Sequence, residues 1–147
     1  MEQSIGELIP VLQVAIGPVI LISGVGLLLL TLTNRLGRIV DRSRVLSLEL
    51  HKESHPNIDR IIPQQQILLK RAKLVRHSIL YAAVSVLFTT ILIIDIFITA
   101  LFKLKDAWLI TVLFVCCMLS LMFSLIFFIK DINLSLEALK MELGEKT

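Results

Sequence analysis

Charge is missing from long stretches of this sequence: residues 8–33 and 107–129 carry none, and residues 78–102 carry only Asp95. Charged residues make up 18% of the whole, against roughly 25% in ordinary soluble domains, while hydrophobic residues reach 56%. A fold of 147 residues has too little interior to hide that much apolar surface from water, so a soluble globular domain is excluded.

Cysteine is equally scarce. Cys116 and Cys117 are neighbours inside the third apolar run, where neither can pair with the other, so there is no disulfide framework. Both read as small residues that pack or face lipid. The 6 glycines form no phosphate-cradling loop, and neither a nucleophile elbow nor a metalloprotease helix is present. His51 and His55, with Asp59 nearby, fall where a helix ends and a turn begins, and read as solvated. Aromatics, at 6%, interleave with no basic patch, which argues against a nucleic-acid partner. No internal repeat divides the chain into halves, as most secondary transporters require.

What is present is membrane. Crossing the hydrocarbon takes about 20 residues, and each of the three runs is long enough. The pattern predicts an all-α integral membrane protein, a single domain over 1–147 with spans at 8–33, 78–102 and 107–129. The first run is expected to be a retained helix: the residues before it are acidic, the run is too long for a secretory signal, and no small-x-small cleavage site follows. Residues 34–77 hold most of the 15 Lys and Arg, among them Arg35, Arg38, Arg42, Arg44, Lys70, Arg71, Lys73 and Arg76. By the positive-inside rule this segment is cytoplasmic, with the amino terminus outside and the carboxyl terminus inside. The formal charge of +3 therefore points to the anionic lipids of the inner leaflet as partner.

The helices are expected to continue past the bilayer. Leu36, Ile39, Leu46 and Leu50 extend an apolar stripe, and Asp41 stands three residues from both Arg38 and Arg44, a spacing for helical ion pairs. Residues 54–57 read as a turn, and Pro63 as a first-turn residue of a helix running to Phe102, about 60 Å long. Ile132, Leu136, Leu139 and Leu143 form a short seam beyond the third span. The prediction is a cytoplasmic helical hairpin over about 34–77 and a cytoplasmic helix over about 130–143.

Four features are candidates for function. Asp95 lies roughly 7–8 Å outward of the bilayer centre, where a carboxylate must be paired, wetted or protonated. It is a cation or proton site, or else a carboxyl that joins helices. Gln13 and Gly17, with Thr111 close by, match its depth, and the Gln13 amide is a candidate donor to it. In the first span Pro18 cannot donate to the carbonyl of Val14, and Gly17 precedes it, so a kink or freed carbonyl is expected. Gly17, Gly24 and Thr31 recur at seven-residue spacing and, with Ser23 and Gly26, cut one helix face back, for close packing or to line a pore. Finally, Arg35, Arg38 and Arg42 share a face at the cytoplasmic mouth, where they would favour anions or hold lipid phosphates.

The Gly17-Pro18 pair, followed by Asn34-Arg35-Leu36 and Asp41-Arg42-Ser43-Arg44, resembles the bacterial membrane family of unknown function DUF2721, over about residues 15–46. The resemblance implies a small bacterial inner-membrane protein and supplies no activity. Asp95 lies outside its pattern. Together these readings predict a cyclic homo-oligomer forming an ion channel lined mainly by the first helix. The alternative is a non-conducting scaffold or accessory subunit that recruits a partner. No catalytic residue, metal or cofactor is expected, since the segments outside the spans are too short to enclose a catalytic pocket.

Overall fold

The computed structural model describes residues 2–50, 58–102 and 107–144, with side chains over 9–48, 62–102 and 108–136. Among them the chain forms three helices, α1 (Glu2–Leu50), α2 (Ile58–Phe102) and α3 (Ala107–Gly144). Each contains a stretch long and apolar enough to cross a membrane, within Ile9–Leu48, Ile62–Phe102 and Trp108–Leu136. In hydrocarbon every backbone amide must be satisfied within its own segment, and Leu- and Ile-rich runs meet that demand as helix. The result is the architecture of a multi-pass membrane protein.

The helices outlast their apolar runs. At 49 residues α1 extends roughly 74 Å, and it stays helical through both Pro10 and Pro18. Each proline removes one backbone bond, and the helix around it supplies all the others. Helix α2 begins earlier than the sequence suggested: it starts at Ile58, which places Pro63 inside the helix instead of in its first turn. Only the bond from residue 63 to the carbonyl of Asp59 is lost there, so close to the helix start that propagation is unaffected. The expected turn at 54–57 and the pair His51 and His55 lie outside the described residues, as do the side chains of Leu50, Leu139 and Leu143.

Two compact units divide the chain, and the helices contribute segments to both. The first comprises Met1–Leu29 and Tyr81–Met122. Its interior is made of small residues: Ala15, Val25, Ala82 and Cys117 are buried with Leu92, Ser85 and Thr89. Small side chains let helix backbones approach closely, and the hydroxyls then find acceptors across the gap. Ser85 Oγ donates to the Cys117 carbonyl at 3.1 Å, Ser120 Oγ donates to the Tyr81 carbonyl at 2.8 Å, and Thr89 Oγ1 returns to its own helix at the Ser85 carbonyl at 2.9 Å. The outward faces are oily, with Leu27, Leu101 and Trp108 largely exposed. Such a surface is stable in lipid and aggregates in water.

The second unit comprises Leu30–Leu80 and Phe123–Thr147. Here the buried positions of α1 are Leu32, Ile39 and Leu46, a strict seven-residue repeat. The stripe expected from sequence, Leu36 to Leu50, is shifted: Ile39 and Leu46 are its buried members, Leu32 joins them, and Leu36 is only half-buried. A 3.5-residue period has two alternating positions: 32, 39 and 46 occupy one and are enclosed, whereas 36 and 43 occupy the other and stay half-buried at the edge of the seam. Leu68 and Val75 repeat the interval on α2, and Ser124 and Asp131 on α3. Ser78 and Ser124, both fully buried, donate reciprocally to each other's backbone carbonyls at 2.8 Å.

Candidate functional site

In the second unit, a charge occupies a core position. Asp131, on α3, is the first acid beyond the third apolar run and falls on the buried repeat, so its side chain is wholly enclosed. A carboxylate there is tolerable only with cationic partners and filled lone pairs. Arg35 reaches in from α1, its Nη2 2.7 Å from Asp131 Oδ2, and Arg71 from α2 places its Nε 3.4 Å from Oδ1. The Asp131 carbonyl accepts from Ser135 Oγ at 2.9 Å. The Arg35 guanidinium also lies over the ring of Phe128, 5.2 Å from its centroid, which fixes the plane of the fork. One carboxylate thus ties a residue from each helix together.

The same two arginines also line a cleft of about 370 Å³, together with Thr31, Arg38, Ile39, Arg42 and Leu68. The 3-4 spacing of residues 35, 38 and 42 puts three guanidinium groups on one strip of α1, and Arg71 faces them from α2. Arg38 and Arg42 are exposed, and Arg38 has no carboxylate partner among the described residues. Arg35, expected as an open charge at a mouth, is instead drawn toward Asp131, because an enclosed carboxylate attracts the nearest cation that can reach it.

In the first unit, Asp95 Oδ2 is buried and has no hydrogen-bond partner among the described residues. The expected Gln13 bond is absent: the Gln13 side chain is exposed, and matched depth did not bring it to the helix face that meets Asp95. Gly17 and Gly24 are exposed, Pro18 is half-buried, and Thr31, in the second unit, is exposed. A Cβ added at Gly17, Gly24 or Gly26 would meet nothing within 4 Å. The cut-back face of α1 is therefore open in the single chain, whereas Ala15 and Val25 on the same helix are buried.

Sequence reasoning passed over Asp131, Arg71 and the Ser78–Ser124 pair. A signal for the first was available: one acid directly after the third apolar run, at the edge where Arg35 follows the first run and Arg71 precedes the second. Which helix faces meet decides the partners, and that information is tertiary.

Comparison with known families places the chain. It belongs to the family described as a protein of unknown function (DUF2721), whose sequence model matches residues 15–141. No curated protein and no solved structure matches it.

Proposed function

We propose that the chain acts as a homo-oligomeric ion pathway in a bacterial inner membrane, assembled on the cut-back face of α1, with its amino terminus outside and carboxyl terminus cytoplasmic. The observation that carries this reading is the open glycine face: a Cβ added at Gly17, Gly24 or Gly26 would meet no atom of a neighbouring helix within 4 Å among the described residues. Glycine in a helix costs about 1 kcal/mol against alanine, a penalty that makes sense where another helix or water needs the space. Pro18 leaves the Val14 carbonyl without its helical donor, which offers a permeating ion an oxygen ligand on a helix that is otherwise closed. The buried Oδ2 of Asp95 is a second support, since an unpartnered carboxyl oxygen at that depth calls for a cation, a proton or water.

One pair of observations favours a second reading, a non-conducting scaffold. Asp95 Oδ2 is enclosed while the glycine face opens outward, and Arg35 is engaged by Asp131, so neither charge is presented freely to an axial path. In that case the same glycine face serves close helix packing alone.

Reconstitution separates the two. The channel predicts ion flux into liposomes above empty vesicles, an oligomeric mass in detergent, and loss of both in Gly24→Leu. Flux equal to that of empty vesicles over a range of pH and voltage, with the oligomer intact, replaces the channel with the scaffold. A monomer in detergent and in nanodiscs removes the axial pore and leaves the scaffold that recruits a different partner.

A further inference from the structure

In the second unit a second aromatic of α3, Phe127, gathers basic side chains where the charged and apolar surfaces meet. The Lys130 ammonium stands 5.7 Å from the centroid of the Phe127 ring, and the His77 ring of α2 stands 5.5 Å from it, tilted by 30°. Lys130 is the first charge after the third apolar run, and His77 is the residue directly before the second. Both are exposed. Asp131, next in sequence to Lys130, is turned inward to Arg35 and Arg71, so it does not neutralise the ammonium.

The cluster is arranged before any ligand arrives. His77 Nδ1 lies 2.7 Å from the Lys73 carbonyl oxygen. A carbonyl only accepts, so Nδ1 carries the proton of this bond and Nε2 is left for a ligand. In the neutral ring Nε2 accepts from a headgroup hydroxyl, and in the charged ring it donates to a phosphate oxygen. Stacking on Phe127 restrains the long Lys130 side chain, which lowers the ordering cost of binding. Lys70 and Lys73 are exposed and stand at 3-4 spacing with His77, so positive charge continues along this face of α2.

Toward the spans the same faces turn apolar. Leu80 is three residues from His77 and Phe123 four from Phe127, and both are exposed. A ligand here meets positive charge at one end and oily surface at the other. A free anion uses only the first, whereas a lipid of net negative charge uses both. We propose that the junction of His77, Phe127 and Lys130 is a binding site for an anionic phospholipid, its phosphate on Lys130, its headgroup against His77 and an acyl chain along Leu80 and Phe123. The site is complete in one chain and does not depend on assembly or conduction.

The test uses the purified full-length chain in nanodiscs of equal phosphatidylglycerol and phosphatidylcholine, with retained lipid read by native mass spectrometry. Phosphatidylglycerol is expected to be retained over phosphatidylcholine by about fivefold or more, and Lys130→Gln to remove most of that preference. Phe127→Leu keeps apolar bulk but loses the ring beneath the ammonium, and lowers the preference about threefold. Lys130→Arg keeps charge and stacking and stays within about twofold of wild type. Arg44→Gln removes the same charge from α1, outside the cluster, and also stays within about twofold. Equal retention of the two lipids by wild type overturns the site, as does a preference unchanged in Lys130→Gln. An equal loss in Arg44→Gln overturns it in favour of general surface charge. Displacement of phosphatidylglycerol by inorganic phosphate overturns it in favour of a free anion.

Discussion

Arg35 on α1 and Asp131 on α3 are 96 residues apart and meet at 2.7 Å, with the carboxylate wholly enclosed and the guanidinium about a quarter exposed. Removing one partner of such a pair leaves a buried charge uncompensated, at a cost of roughly 3–5 kcal/mol. Arg35→Ala, which strands the enclosed carboxylate, is therefore expected to lower the thermal midpoint in detergent sharply, and Asp131→Ala less, because Arg35 and Arg71 are partly exposed and can turn to water. Arg35→Ala should cost more than Arg71→Ala, because the Arg71 contact is longer, at 3.4 Å, and Arg35 also covers Phe128. A double-mutant cycle on Arg35 and Asp131 checks this. Additive effects would show that the two residues are not coupled in solution.

Ser78 and Ser124 tolerate loss of a hydroxyl better than gain of volume. Each donates to the other's carbonyl, so Ser78→Ala forfeits one bond and leaves the reverse one, a loss of about 0.5–1.5 kcal/mol. Ser78→Leu forces a branched side chain into a position with no exposure and should cost more, about 1–3 kcal/mol or above. The order of midpoints, wild type above alanine above leucine, is the result to look for. A leucine variant as stable as wild type would contradict the close approach of the two helices.

Gly37 is exposed on α1, and a Cβ there would meet nothing within 4 Å. Gly37→Ala should stabilise the chain by about 0.5–1 kcal/mol through helix propensity alone. A lower midpoint would mean that a second copy or a ligand occupies that space.

Asp95→Leu tests what its carboxyl faces. Among the described residues Oδ2 has no hydrogen-bond partner, so replacing Asp95 with an apolar side chain of similar size should leave the fold as stable as before or raise its midpoint. Destabilisation of the oligomer with an unchanged monomer would place a partner on another copy.

Much of this protein was legible along the sequence. The three apolar runs and the continuation of each helix past them follow from local chemistry, because hydrocarbon leaves a backbone no alternative to helix and good helix formers extend what the span begins. The arginine strip at 35, 38 and 42 is equally local, a matter of spacing on one helix. What depends on contact between helices was not legible. Asp95 stood out because a lone charge in an apolar run is visible in one dimension, yet its imagined partner Gln13 faces elsewhere. Asp131 did not stand out, since an acid just beyond a span looks solvated until the seven-residue repeat of 124 and 131 turns it inward.

The sequence by itself determined that this is a helical membrane chain with its positive charge gathered between the first two spans, because hydrophobicity, length and charge order act residue by residue. The tertiary structure decided which charge is enclosed, which arginines flank it and which face of α1 is left open, because those outcomes depend on the rotation of each helix against its neighbours.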